Sequence, residues 1–321
     1  MKILFIKFGK AGDLIILTPL IEIVGKKLKA NLIFLTSKKF YEILEGNPYI
    51  EKFYFTQDGF FKNIKGLRKE KFDFVFDFDK KILSTLYSIF LLPVKIKRPK
   101  KNSIRRKIAV IFKIKPKEFH FSEIFFDSLK KTFKINEELP MPSLFKEKEF
   151  KNLPKNYCVF FPGGAFWKRK WPINYYEKLG ELINNELNIK IVILGDEKDK
   201  DEGGFNENFF IDLRGKTSWK ETFYIVKNSL FVISNDTSGV QIAHVYKKPI
   251  FIIYGPTLPQ FGFKPKNGII FEKNLKCRPC SIHGEGKCKF DKKCLKEIKP
   301  EEVFEKIKEY FLKRNYKYHL V

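Results

Sequence analysis

Short apolar runs alternate along the chain with segments whose apolar residues recur at helical spacing. Lys2–Phe8 (KILFIKF) has the pattern of a buried strand, as do 31–36, 51–56 and 72–79. Helical spacing recurs over 14–29, 38–44, 60–69 and 81–92. Strand and helix in strict turn predict a parallel sheet covered on both faces. The stretch Met141–Pro154 breaks the rhythm and reads as a linker. Beyond it the alternation restarts, with strands expected at 157–161, 189–194, 209–212, 230–234 and 249–254. Helices are expected at 121–133, 174–186, 218–227 and 239–246. A closing helix is expected at 300–314, with Pro300 at its first position and acids in its first turn. The predicted fold class is α/β, with one domain over 1–150 and a second over 151–321 that holds the cysteine cluster and the closing helix.

In open parallel sheets ligands sit beyond the carboxyl ends of the strands, so the chemistry is sought in the loops that follow them. After the first strand comes Gly9-Lys10-Ala11-Gly12-Asp13, which matches neither a Walker loop nor a dinucleotide fingerprint. Asp13 reads either as a helix cap or as a general base. The second half opens with Phe161–Pro172, where small residues precede Lys168, Arg169 and Lys170. That loop suits a diphosphate, or is a turn with solvated cations. Glu197, after the next strand, is a ribose-binding acid or a solvated loop acid. Ser234–Gly239 follows a strand and opens a helix, where free N–H groups and the helix dipole favour an anion.

The chain carries 63 Lys and Arg against 37 Asp and Glu, a net charge of +26. Such a charge predicts a polyanionic partner: nucleic acid, anionic lipid or phosphorylated glycan. The cations are spread through the chain, which counts against a dedicated nucleic-acid binder. Val94–Lys107 is a basic stretch, either a solvated loop or a surface that meets anionic partners, and as a charge run the solvated loop is expected. The apolar start is interrupted by Lys7, Lys10 and Asp13, unlike a secretory signal. No apolar run reaches the length of a membrane span, so the expected location is cytoplasmic, with peripheral membrane contact at most. Cys277-x2-Cys280-x7-Cys288-x5-Cys294 has spacing that fits a structural zinc; reduced thiols and an iron–sulfur centre are the other readings, with His283 as a stand-in ligand.

Five segments, in order, resemble the ADP-heptose:lipopolysaccharide heptosyltransferases, glycosyltransferase family nine. They are KILFIKFGKAGDLIILTPLI, PGGAFWKRKWPINYYEKLGELI, DLRGKTSWKETFYIVKNSLFVISNDTSGVQIAH, KPIFIIYGPT and CRPC with its two later cysteines. The resemblance implies the GT-B fold, two Rossmann-like domains facing each other across a cleft. It implies transfer of a heptose or related sugar from an ADP-sugar to a lipopolysaccharide-core-type acceptor, with inversion and without a metal for catalysis. Asp13 would be the catalytic base, with Gly12 and Lys10 on the acceptor side. Lys168, Arg169, Lys170, Glu197, Asp236, Thr237, Ser238 and Gly239 would bind the donor. The implied partners are an ADP-sugar and an anionic lipid-linked glycan at the cytoplasmic face of the inner membrane, with no nucleic acid. Two departures stand out. Arg169 occupies a position where the family usually has Lys. Gln241 stands where it usually has His, with Ser238 in place of Gly and His244 a turn away. A transferase using another nucleotide sugar is the nearest alternative, and a basic nucleic-acid binder with a four-cysteine zinc module is a more distant one.

Overall fold

A computed structural model describes residues 1–100, 102–262, 264 and 268–313. The chain divides into two compact units, one of residues 1–101 and 119–147, the other of 102–118 and 148–321.

The first unit is a five-stranded parallel sheet. Its strands are β1 (Lys2–Ile6), β2 (Asn31–Thr36), β3 (Ile50–Phe55), β4 (Phe74–Asp77) and β5 (Lys95–Lys97), in the spatial order β3-β2-β1-β4-β5. Helices α1 (Ala11–Ile15) and α2 (Thr18–Lys26) follow β1, and the short α3 (Tyr41–Leu44) follows β2. The helix expected over 14–29 is therefore two helices. Next come α4 (Phe60–Lys69) and α5 (Ile82–Phe90), on either side of β4. β1 and β2 are buried almost throughout, as central parallel strands with both faces covered must be. Leu4, Ile6, Ile33, Leu35, Val75 and Tyr87 lie in one apolar core.

The basic stretch expected to be a solvated loop is instead edge strand β5 followed by helix α6 (Ser103–Phe112). Three interactions account for the order. Arg98 pairs with the buried Asp77 at 3.0 Å, Arg106 is buried, and Ala109 packs with Leu258 and Phe261. Helix α7 (Phe121–Phe133) returns to the first unit.

The second unit has six parallel strands: β6 (Tyr157–Phe161), β7 (Lys190–Ile193), β8 (Phe210–Asp212), β9 (Val232–Asn235), β10 (Ile250–Ile253) and β11 (Gly268–Phe271), in the order β11-β10-β9-β6-β7-β8. α8 (Ile173–Leu187), α9 (Trp219–Asn228), α10 (Ser238–Val245), α11 (Lys293–Lys296) and α12 (Pro300–Leu312) complete it. α9 starts with a capping box: Ser218 accepts from the Glu221 N–H while Glu221 accepts from the Ser218 N–H. The closing helix α12 buries Val303, Phe304, Ile307 and Phe311 in the core of this unit.

Both sheets reverse their strand order once. In the first unit the reversal falls between β1 and β4, and in the second between β6 and β9. Loops at such points diverge and leave a crevice at the carboxyl ends of the strands.

Candidate active site

In the first unit the crevice loops bring together Lys7, Asp13 and Asp79. Lys7 follows β1, Asp13 lies in α1, and Asp79 follows β4. The Lys7 ammonium sits 2.6 Å from Asp13 Oδ2 and 3.3 Å from Asp79 Oδ1. Its side chain is only 5% exposed. Burial by itself would push the ammonium down; the charges of Asp13 and Asp79 outweigh it and leave Lys7 above its ordinary value. Lys7 is thus a buried cation held charged by two carboxylates. Asp77 orders the same loop, accepting from the N–H groups of Asp79 and Lys80 at 3.1 and 2.8 Å.

Asp13 is not a helix cap. Lys10 occupies the N-cap position at positive φ and makes no side-chain cap bond. The Asp13 N–H donates to the Lys10 carbonyl inside the first turn. The side chain is left to Lys7. Lys10 and Gly12 flank Asp13 in this turn.

In the second unit the crevice lies between the loops after β6 and β9. Asn235 ties them together, its amide donating to the carbonyls of Pro162 and Gly163 at 2.5 and 3.0 Å while its oxygen accepts from the Trp171 N–H. The three consecutive cations are not solvated. Arg169 pairs with Asp236 at 2.6 Å and also reaches the Asp236 carbonyl. Lys170 pairs with Asp199 at 3.2 Å. Lys168 is 3% exposed and donates to the Lys287 carbonyl at 3.3 Å; no carboxylate pairs with it among the described residues. A buried ammonium that lacks a counter-charge is costly, and an incoming phosphate would supply one.

Asp236 also accepts from Thr257 at 3.2 Å. Thr237 caps α10, its hydroxyl accepting from the Gly239 N–H at 3.2 Å. A Cβ at Gly239 would run into the Phe161 ring, so only glycine lets α10 start this close to β6. Ser238 is the first residue of α10. Glu197 stands after β7 with its side chain 71% exposed, paired to Lys200 at 2.8 Å. Behind it the Asp199 carboxylate fills the space that a side chain at Gly163 would need. Arg214 is buried and donates to the carbonyls of Asp199 and Gly203, at 2.7 and 2.8 Å, which fixes the loop after β7.

Sequence reasoning did not single out Lys7, Asp79, Asn235, Asp199 or Arg214 as site residues. Lys7 had a readable signal, a charge at the end of a buried strand. The others take their meaning from partners remote in sequence.

Among the described residues no three His, Cys, Asp or Glu side chains converge to hold an ion. The Cys280 thiol donates to the Cys277 carbonyl, and Cys288 accepts from the Lys292 N–H. Burial pushes the Cys294 thiol up to about 11. Cys277, Cys280 and Cys288 all act electrostatically on Cys294, so the four thiols form one local group, and the structural zinc stands as an expectation from their spacing.

Two doubly wound parallel sheets, each with charged loops where its strand order reverses, define a protein of the Rossmann-like α/β class. The chain belongs to glycosyltransferase family 9 (heptosyltransferase), whose family model matches residues 60–288. It is 32% identical over 111 residues to lipooligosaccharide heptosyltransferase 2 of Haemophilus influenzae, a match covering 32% of each chain. It is 28% identical over 194 residues to lipooligosaccharide heptosyltransferase 2 of Campylobacter jejuni, covering 56% of this chain and 59% of that one. The matches thus span less than two thirds of these relatives' lengths. The structure of the Escherichia coli ADP-heptose LPS heptosyltransferase II shares the fold, with a TM-score of 0.76, 17% identity, and coverage of 98% of this chain and 99% of that one.

Proposed function

We propose that this chain transfers a heptose or related sugar from an ADP-sugar to a phosphorylated, lipid-linked glycan of the lipopolysaccharide-core type. The acceptor hydroxyl attacks the anomeric carbon from the face opposite the diphosphate. The bond to the diphosphate oxygen breaks, the electron pair leaves with ADP, and the anomeric centre inverts. Asp13 takes the hydroxyl proton. Lys7 fixes Asp13 through Oδ2, which leaves Oδ1 to accept that proton.

Charge on the departing diphosphate is met by Lys168, Arg169, Lys170 and the N-terminus of α10 at Thr237, Ser238 and Gly239. These groups can carry the leaving-group charge, so the scheme requires no metal. Glu197 is solvent-exposed in the loop after β7, available to ribose hydroxyls. Arg169 and Asp236 are already paired, so Asp236 serves by holding the guanidinium toward the phosphates. A membrane-borne acceptor places the enzyme at the cytoplasmic face of the inner membrane.

The observation that carries this reading is the buried Lys168, which among the described residues has a carbonyl and no carboxylate for company, at the reversal point of the second sheet. The test is a donor screen by thermal shift and calorimetry. ADP-heptose is expected to stabilise the protein more than other nucleotide sugars do, and Asp236→Ala and Glu197→Ala to weaken its binding. Equal stabilisation by a UDP- or GDP-sugar would favour the alternative donor. Unchanged affinity in both variants would move the donor site elsewhere.

A further inference from the structure

Helix α5 is built inside out. An ordinary surface helix turns its apolar residues to the core and its polar ones to water. Here Ser84 and Ser88 are buried, their hydroxyls donating to the carbonyls of Lys81 and Ser84 at 3.0 and 2.9 Å. Facing outward instead are Ile82, Leu83, Leu86, Ile89 and Phe90, with Ile82 83% and Ile89 52% exposed. Their spacing places them on one stripe.

Helix α4 lies beside α5. Phe60 packs edge-on against Phe90 with ring centroids 5.4 Å apart, and Arg68 Nε donates to the Phe90 carbonyl at 2.9 Å. α4 adds Phe61, 78% exposed, to the apolar surface. It also exposes Lys62, Lys65, Arg68 and Lys69. Neither helix contains an acidic residue. The nearest acids in sequence are engaged: Asp58 with Lys38, Glu70 with Lys2 and Lys52, and Asp79 with Lys7 and Lys81.

We infer that the α4–α5 face docks on an anionic lipid bilayer. The stripe of α5 enters the boundary between headgroups and acyl chains, and the cations of α4 meet lipid phosphates. Charge complementarity selects this occupant: a bilayer rich in acidic lipid supplies both an apolar interior and a continuous negative surface. No helix among the described residues is long and apolar enough to cross a membrane, so the contact is interfacial. The inference deepens the proposed reading by naming the surface that meets the acceptor's membrane, and it rests on that reading for its purpose. α6 also exposes Ile104, Ile108, Ile111 and Phe112, and is the competing surface.

The test is co-flotation of the full chain with vesicles of phosphatidylcholine alone or mixed with phosphatidylglycerol. Wild type is expected to float with the acidic vesicles, and less so at high salt. Ile82→Ser/Leu86→Ser/Ile89→Ser and, separately, Lys62→Gln/Lys65→Gln/Lys69→Gln are each expected to lower partitioning at least ~tenfold. Circular dichroism and nucleotide binding should be unchanged, and Ile104→Ser/Ile108→Ser/Ile111→Ser should float like wild type. Undiminished flotation of the α5 variant, or loss confined to the α6 variant, would overturn the inference. So would an α5 variant that turns a dimer into a monomer while still floating, since the face would then join two copies. Transfer to a water-soluble, lipid-free acceptor separates the two ideas: wild type inactive there but floating would sink the transferase reading and leave the docking face standing.

Discussion

Lys7 places one ammonium between two carboxylates, and the consequences differ for each of the three side chains. Removing the cation leaves Asp13 and Asp79 facing each other in a buried site. Lys7→Met should therefore lose ~3–5 kcal/mol of stability by thermal or urea denaturation. Asp79→Asn in the same chain should recover part of that loss, because it removes one of the two carboxylate charges that Lys7 had offset. Asp13→Asn behaves differently. It keeps the shape of the side chain and leaves Lys7 paired with Asp79, so the fold should hold and donor affinity should not change. Without a proton acceptor, transfer should slow by ~10²–10⁴-fold in a steady-state assay. Near-normal turnover by a folded Asp13→Asn protein would assign the base to another residue. Because Lys10 rather than Asp13 takes the cap position, a helix-capping loss does not complicate the comparison.

At the scale of elements, close approach of α10 to β6 is what aims the helix N-terminus at the loop of cations. Gly239→Ala would drive a methyl into the Phe161 ring. The helix must then shift, and nucleotide affinity should fall while the first unit keeps its own hydrogen-exchange pattern. Another element-level anchor joins the sheet edge to the end of α4. Glu70 accepts from Lys52, Lys2 and Tyr54, and these contacts, the Lys52 hydrogen bond foremost, hold its carboxyl down at about 2. A depressed folded value means the contribution is present above the unfolded value near 4.5 and vanishes as the pH falls through about 2. Glu70→Gln should thus cost stability at neutral pH, ~1 kcal/mol or less given the exposed lysines. The difference from wild type should close across that acid window in a denaturation series. Most strands were legible in the sequence because apolar runs bounded by loops have few other solutions; β1, β2, β6 and β9 fall within about a residue or two of expectation. β5, β11 and α6 were not legible. Basic residues mask their pattern, and neighbours far along the chain supply their order.

For the whole molecule, the +26 charge and the two units assign separate tasks. Most of the charge is dispersed, so its long-range effect is to raise encounter with any anionic surface and to fade with salt. On the proposed reading, specific donor recognition belongs to the second unit. Hydrogen exchange with and without ADP should accordingly show new protection at residues 162–170 and 236–239. Residues 7–13 should exchange as before. Protection confined to the first unit would reverse the proposed division of labour.

The sequence by itself determined the alternation of strands and helices and the restart of that alternation after the linker. These follow from local periodicity, which a chain cannot hide if it is to bury its strands. It also carried the family motifs, from Asp13 to Asp236. Tertiary structure decided which charges meet. Nothing near Lys7 in the sequence indicates Asp79, and nothing in KRK tells that Arg169 and Lys170 meet carboxylates while Lys168, among the described residues, meets only a carbonyl. Ser84 and Ser88 look like the outer face of α5 until the sheet is in place behind them. Local pattern fixes what each segment is. The direction in which a side chain points, and the partner it finds there, depend on segments that only folding brings alongside.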